Sequence, residues 1–152
     1  MKRTVYGLLT VCIIVFMTAC GNRNTSVTYR MEAEENGMSM TETITLHARG
    51  DEIHQITEVI EMDLRSFDEA TRDLLYAAYD ELVASYGETE GVVSTGEVAE
   101  GIYTLRISID ATGDAVNTLA EQGLFVIEGG MDSFSLERTG AALESQGYVA
   151  AK

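Results

Sequence analysis

The chain has 152 residues, of which 25 are acidic and 10 basic, and its formal net charge is −15 at pH 7. This length suits one domain with one core. The acidic excess argues against nucleic-acid binding, because phosphates require Lys and Arg, and the only lysines, Lys2 and Lys152, leave no internal lysine for a P-loop or a Schiff base.

Residues 1–19 have the pattern of a secretory signal peptide. Lys2 and Arg3 precede an almost wholly apolar run over residues 5–19, which is shorter than the roughly 18 residues or more of a spanning helix. The run ends in "MTAC" at Cys20, which resembles the lipobox of bacterial lipoproteins, with Met17 where Leu is usual. The resemblance implies cleavage before Cys20 and acylation of its thiol, for example with palmitate. The alternative is an ordinary signal with an incidental cysteine.

A lipidated Cys20 predicts an extracytoplasmic protein anchored to the bacterial cell membrane, or to the outer membrane of a Gram-negative source. The mature chain would have no other cysteine and therefore no internal disulfide, so its own core must hold it together. Loss of Lys2 and Arg3 leaves 8 basic against 25 acidic residues, a net charge of −17. We expect a monomer that stands off anionic lipid, with an envelope protein or small ligand as its partner.

Residues 20–26 are predicted to be the lipidated cysteine and a polar tether, and residues 27–152 a single α+β domain. Apolar and polar residues alternate from Val27, around Ile44 and around Ile60, with turn signals at 35–37 and 49–52. This pattern predicts a three-stranded antiparallel meander with one apolar face.

The period changes at Ser66, which forms a possible capping box with Glu69 before a helix that ends at Gly87. Its predicted inner stripe includes Tyr79, Leu82 and Tyr86. Two strands around residues 92–93 and 103–109 and two short helices complete the order βββ-α-ββ-α-α. The prediction is an antiparallel sheet of about five strands with helices packed on its apolar face.

Three further stretches, together with the lipobox, carry a family resemblance. They are the hairpin "ARGDEIHQITEVIEMDL", the run from "LLYAAYDELVASYG" to "LRISID", and the closing "SLERTGAALESQGY". Over residues 27–152 the chain resembles the YehR-like bacterial lipoproteins, a family whose domain has no known function. The resemblance implies the fold and the lipid anchor, and it supplies no catalytic residues.

The residues themselves indicate no catalytic, cofactor or metal site. A Gly-x-Ser-x-Gly elbow is absent, and the two histidines, His47 and His54, are expected on opposite faces of a hairpin unless a bulge intervenes near Ile53. The segment "DATGDAVN" from Asp110 has oxygen ligands at alternate positions, but it lacks the glycine and distal glutamate of an EF-hand. We interpret it as a strand end before a helix cap.

Two other features have plain structural interpretations. The tripeptide "RGD" at 49–51 recurs in adhesion motifs, yet a hairpin turn also favours these residues. Tyr79 and Tyr86 are expected in the core, whereas Tyr76 lies off the helix stripe and could be exposed.

Three functions stay open from the sequence. The leading one is a non-enzymatic binding module. A binder of a cation or cationic small ligand through the acidic surface, with Asp110 and Asp114 as first residues to test, comes second. A carboxylate-based hydrolase comes third.

Overall fold

The computed structural model describes residues 23–35, 37–124 and 135–151. All neighbouring strands are antiparallel, and the sheet order is β4-β5-β3-β2-β1-β6. The elements in chain order are β1 Asn24–Glu35, β2 Met38–Arg49, β3 Glu52–Asp63, α1 Glu69–Gly87, β4 Val92–Ala99, β5 Ile102–Asp110, α2 Ala115–Glu121, α3 Leu136–Ser145 and β6 Val149–Ala150.

The α+β class and the antiparallel sheet predicted from the sequence are confirmed, with six strands instead of about five. The additional strand, β6, has two residues and pairs with the middle of β1, where Tyr29 lies opposite Ala150. Two residues are too few to show an alternating pattern, which explains why the sequence did not reveal this strand.

The sheet has one apolar face, which we call the core face, and one polar face. The register across β1, β2, β3 and β5 brings inward-facing positions into rows, such as Val27, Leu46, Ile56 and Ile109. Side chains of the three described helices join these strands in a single hydrophobic cluster. On the polar face, matching rows contain mainly hydroxyl and charged side chains, which are exposed or half-buried. The core therefore lies between this one sheet and its helices.

The first strand begins at Asn24, so it includes the last three residues of the predicted tether. Asn24, Thr25 and Ser26 lie opposite Arg49, Ala48 and His47 of β2, and the Gly50 amide donates to the Arg23 carbonyl at 3.1 Å. Pairing along the full length of β2 therefore extends β1 toward its N-terminus, although these residues are small and polar.

Among the described helices, none is both long enough and apolar enough to span a bilayer.

The start of α1 corrects the predicted capping box. Asp68 is the N-cap, and its carboxylate accepts from the Thr71 amide at 3.0 Å. The Ser66 hydroxyl instead donates to the Gly37 carbonyl at 2.8 Å, so it ties the β1–β2 turn to the end of β3. A carboxylate at the N-cap performs the same function as the predicted serine, two positions later.

The inner face of α1 is less buried than its spacing indicated. Tyr86 is the buried residue of this helix, while Leu82 and Tyr79 are half-buried. Tyr76 is half-buried too, and its ring stacks on Tyr103 at a centroid separation of 6.1 Å. The helix therefore covers the outer strands β4 and β5 and stays partly open to water.

A hydrogen bond also holds α1 to the sheet. Tyr103 on β5 is fully buried, and its hydroxyl donates to the exposed Asp80 carboxylate at 2.7 Å. The tyrosine ring passes so close to Gly96 on β4 that a Cβ atom there would collide with the hydroxyl. Glycine is needed at position 96 because of this close approach.

Candidate functional site

Two glutamates occupy positions on the core face where the alternation calls for apolar residues. Glu42 on β2 lies opposite Ile60, and Glu58 on β3 lies opposite Ile44, so the two carboxylates are diagonal neighbours. Both strands continue as regular antiparallel ladders through these positions. The backbone therefore points both side chains toward the hydrophobic cluster, and we call them the Glu42–Glu58 pair.

Glu58 is the more deeply buried member, with only 6% of its surface exposed. Its Oε2 atom is inaccessible to solvent and has no hydrogen-bond partner within the part of the chain that the structure describes. Burial, followed by the like charge of Glu42 and a hydrogen bond with that carboxyl, raises the pKa of Glu58 from 4.5 to about 8. Near neutral pH the pair therefore retains one proton.

Two tyrosines interact with the pair, Tyr148 through a hydrogen bond and Tyr86 through the charges of the glutamates. Tyr148, which follows α3, donates to Glu42 Oε1 at 2.5 Å. Tyr86, from the end of α1, donates to the Leu124 carbonyl at 2.6 Å. Burial raises the pKa of Tyr86 to about 12, and the negative charges of Glu58 and Glu42 add to the effect. The two tyrosines that interact with the carboxyls thus come from two further parts of the chain, the end of α1 and the residues after α3.

The contact between the two carboxyls limits the chemistry of the pair. Glu42 and Glu58 are in direct hydrogen-bonding contact. Retaining glycosidases keep their carboxyl groups about 5–5.5 Å apart, and inverting enzymes keep them farther apart. The geometry therefore suits the sharing of a proton or the binding of a positive charge, and it leaves no space for a glycosidic bond between the two groups.

The ion pairs of the described residues lie away from these two carboxyls. The described ranges contain two ion pairs. Arg30–Glu32 lies within β1, and Arg65–Asp63 lies at the end of β3. Neither ion pair includes a member of the Glu42–Glu58 pair. The sequence could have revealed the site, because Glu42 and Glu58 interrupt two otherwise apolar sets of even-numbered positions.

Asp110 and Asp114, the residues singled out for a surface cation site, lie at the end of β5 and before α2. They line a cavity of about 470 Å³ with Glu90. However, Asp110 Oδ1 already accepts from the Thr112 amide at 2.9 Å and from the Thr112 hydroxyl at 2.6 Å. These hydrogen bonds lower the pKa of Asp110. Residues 110–112 thus form a self-satisfied turn, as the strand-end interpretation indicated.

The bulge near Ile53 that could have brought the two histidines together is present in the structure. The β2–β3 register shifts between His47 and Ala48, which leaves a bulge at His54, next to Ile53. Even so, the rings have separate neighbours. His47 contacts the Ser26 hydroxyl at 2.9 Å and the Thr57 hydroxyl at 3.3 Å on the polar face. His54 lines another cavity, of about 500 Å³, together with Asp110.

The described residues contain no group of three or more His, Cys, Asp or Glu side chains that could hold a metal ion. The aspartate of the "RGD" tripeptide binds the start of α3. Asp51 Oδ1 accepts a hydrogen bond from the Glu137 amide at 3.0 Å, and the Asp51 backbone carbonyl accepts one from the Leu136 amide at 2.7 Å. Cys20, the predicted lipidation site, lies outside the described residues.

The fold defines a class: a small α+β domain with a single antiparallel sheet whose core face packs against helices. A family model described as "Protein of unknown function (DUF1307)" matches residues 25–149, and the chain belongs to this family. The predicted resemblance to the YehR-like domain is thereby confirmed.

Two solved structures share the fold. The NMR structure of the Escherichia coli YehR protein is 17% identical, with a TM-score of 0.63, over 85% of this chain and 93% of that one. The NMR structure of a protein from Streptococcus pneumoniae TIGR4 is 14% identical, with a TM-score of 0.55, over 99% of both chains. Comparison with curated proteins found no match.

Proposed function

We propose that this chain is an extracytoplasmic lipoprotein, anchored to the membrane through a lipid on Cys20, whose domain is a non-enzymatic binding module. The observation that supports the anchor most directly is the position of Cys20. It follows an apolar run that begins after Lys2 and Arg3, and it stands only four positions before β1.

A short connection between lipid and domain has a geometric consequence. Three residues, 21–23, separate Cys20 from β1, and an extended chain spans at most about 3.3–3.6 Å per residue. The lipid would thus hold the start of β1 and the β2–β3 turn within about 15 Å of the bilayer surface. The β1–β2 turn at Gly37 would point away from it, because β1 and β2 run the full length of the sheet.

The polar face is the surface that we assign to a protein partner of the cell envelope. Its central row contains Thr28, Thr45, Thr57 and Ser108 on four adjacent strands. The Thr28 and Thr45 hydroxyls are 3.0 Å apart and hydrogen-bond to each other. The row as a whole offers hydroxyl donors and acceptors on a flat part of the sheet. Because the strands would run away from the bilayer, the polar face would stand roughly parallel to the membrane normal.

The test of the anchor uses cells that express the full chain and are fed an alkyne-bearing fatty acid. The label should appear on the wild-type protein and be absent from Cys20→Ser, which should accumulate as uncut precursor. Cys12→Ser is the matched control and should be labelled normally. A mature protein with an unmodified Cys20 thiol in its mass spectrum would contradict the proposal.

The test of the binding surface compares two added charges. Thr45→Arg places a bulky cation in the middle of the polar face, whereas Ala77→Arg places the same charge on the exposed side of α1. Crosslinking in intact cells should give a defined adduct with wild type and Ala77→Arg but not with Thr45→Arg. Equal adducts in all three would rule out the polar face.

A further inference from the structure

We propose that the outer edge of β4 binds an extended, basic segment of a partner protein, which joins the sheet as a further strand. A Lys or Arg of that segment would extend into the cavity next to Val93. The inference does not depend on the lipid anchor or on the central row of the polar face.

The first argument is that β4 is the last strand of the sheet and has a free edge. Just before the β4–β5 pairs begin, the Asp110 amide donates to the Gly91 carbonyl at 2.8 Å. Because such bonds alternate along an antiparallel strand, odd-numbered residues of β4 bond to β5 and even-numbered residues point their amides and carbonyls outward. Within the part of the chain that the structure describes, Ser94, Gly96 and Val98 therefore present main-chain donors and acceptors without a partner. We call these groups the β4 edge.

The second argument is that β4 lacks the features that commonly protect a sheet edge. Such features include Lys, Pro, a bulge or a covering segment. β4 contains neither Lys nor Pro, and its register with β5 has no shift. The opposite edge of the sheet, at β1, is covered at Tyr29 and Arg30 by β6, and the exposed Glu32 and Glu34 follow. The two edges of the sheet are thus treated differently, and β4 is the one suited to accept a strand.

The third argument is the apolar surface that β4 exposes. Val93 and Val98 have 67% and 47% of their surface exposed, and they are two of the four exposed large apolar side chains among the described residues. Val93 lies opposite Ser108 on the polar face, and Val98 lies opposite Tyr103 on the core face. An added strand would place side chains beside both valines and shield them from water.

The fourth argument is a cavity of about 500 Å³ next to Val93. Its lining includes Ser108 and Gln55, whose side chains are hydrogen-bonded at 2.9 Å, together with His54 and Asp110. Asp110 is exposed, and the hydrogen bonds of its own turn use Oδ1 alone. The cavity therefore combines polar groups and one carboxylate with the apolar surface of Val93.

The distance from the β4 edge to this carboxylate fits a long basic side chain. Neighbouring strands lie about 4.7–4.9 Å apart, so a strand added to β4 would run about 10 Å from β5, which ends at Asp110. The aliphatic stem of Lys or Arg would lie over Val93, and its charged head would extend toward Asp110. A short side chain at the same position would leave the cavity unfilled.

Charge favours a basic partner over a second copy of this chain. Glu97 lies on β4 and Glu100 in the following turn, and the Asp80 carboxylate accepts from Tyr103, whose hydroxyl lies beside the strand. Arg106 is the single basic residue of the β4–β5 hairpin. Two copies joined edge to edge would bring these carboxylates together in chains that each have a net charge of −15. A strand with Lys or Arg would instead meet complementary charge.

The experiment uses the full chain in a neutral detergent and the peptide VKVTVKV, blocked at both ends and labelled with a neutral dye. Pairing with β4 places its lysines opposite Val93 and Glu97, and its sequence reads the same in both directions, so either strand direction gives this pattern. Fluorescence anisotropy should show binding with a Kd of about 1 mM or tighter. The peptide VEVTVEV, and VKVTVKV with N-methylated valines, should each bind at least about tenfold more weakly.

Two pairs of variants test the two parts of the site. Val98→Pro removes an outward amide that β5 does not use, and it should weaken binding by about fivefold or more, whereas Val98→Thr keeps the amide and should bind normally. Asp110→Asn should weaken binding of VKVTVKV by about threefold or more, whereas Asp114→Asn, which removes an equal charge from the neighbouring cavity, should have less effect.

Hydrogen exchange over residues 92–99, measured by mass spectrometry, locates the peptide even if a variant does not fold. The amides of Ser94, Gly96 and Val98 should exchange rapidly in the free chain and more slowly with VKVTVKV. Slow exchange in the free chain at every protein concentration would mean that the edge is already covered, and slow exchange at high concentration alone would identify a second copy as the occupant. Either result overturns the proposal, as do undetectable binding of VKVTVKV and equal binding of VEVTVEV.

Discussion

Two tyrosines in this domain donate to carboxylates, yet their surroundings differ. Tyr103 donates to Asp80 at 2.7 Å on the β4–β5 side of the sheet, and Tyr148 donates to Glu42 at 2.5 Å on the β1–β2 side. Asp80 is exposed on α1, so water can solvate the rest of its carboxylate. Glu42 instead shares its surroundings with the buried Glu58.

The difference shows how a second carboxyl changes the role of the same hydrogen bond. The Tyr103–Asp80 bond fastens a helix to the sheet, and its exposed acceptor can bind water if the tyrosine hydroxyl is removed. The Tyr148–Glu42 bond orients one half of a pair that cannot ionise fully in its buried place. The first is a structural contact, whereas the second couples folding to protons.

The largest effect is expected from Glu58→Gln, measured as the pH dependence of unfolding. Glu58 has a folded pKa of about 8 and an ordinary value of 4.5, so the folded state binds the proton more tightly. The stability from this group is complete below about pH 4.5 and is lost as pH rises to about 8, a change on the order of 4–5 kcal/mol. Glu58→Gln should remove this slope and be the more stable protein at pH 8.5.

Urea unfolding between pH 5 and 9, with a chelator present, provides the measurement. The range avoids the lowered pKa values of Asp51, Asp68 and Asp110, whose contributions are lost only as pH falls below about 4. Identical slopes in wild type and Glu58→Gln would show that Glu58 does not retain its proton.

The next effect in size is expected from Tyr148→Phe. It removes the donor to a half-buried carboxylate that already faces a like charge, and such a loss costs about 1–3 kcal/mol. The cost should be greater at pH 8.5 than at pH 5, because at high pH both glutamates are charged. Chemical unfolding at the two pH values checks this, and a cost that does not vary with pH would contradict the coupling.

A smaller effect is expected from Tyr103→Phe, the counterpart on the other side of the sheet. Asp80 can replace the lost hydroxyl with water, so the cost should be about 0.5–1.5 kcal/mol and constant between pH 5 and 9. The same unfolding series measures it. A pH-dependent cost here would remove the distinction between the two tyrosines.

The smallest effect is expected from Asp80→Asn. The amide oxygen can still accept from Tyr103, and the position is exposed, so the loss should stay within about 0.5 kcal/mol. A thermal melt next to Tyr103→Phe provides the check. A loss larger than that of Tyr103→Phe would mean that the carboxylate has a role beyond this hydrogen bond.

The sequence predicted the parts of the fold that repeat over many residues. The meander of β1, β2 and β3 follows from an alternation sustained over three 12-residue strands, and α1 from its helical spacing. It did not predict β6, because a two-residue strand exists only through its pairing with β1. The N-cap moved from Ser66 to Asp68 because several nearby side chains could serve and tertiary contacts decided among them.

The site was harder to predict than the fold. Glu42 and Glu58 could have been found as charged residues at inward positions, but an interruption of the pattern does not say which partners surround it. Their proximity depends on the β2–β3 register, and the approach of Tyr148 depends on the end of the chain. Among the acidic residues whose burial the structure describes, Glu58 is the buried one and Glu42 is half-buried, and burial is a property of the tertiary structure.

The hydrogen bond from Tyr148 to Glu42 joins residues 106 positions apart, which has a consequence for the order of folding. The β1–β2–β3 meander needs only local pairings and can form while the rest of the chain is still being delivered, whereas distant contacts pay a larger loop-closure entropy. We therefore expect Glu42 to face Glu58 before its tyrosine donor arrives, while water still reaches the two carboxyls. The segment that follows α3 completes the site, so a chain truncated before Tyr148 would lack both β6 and the donor to Glu42.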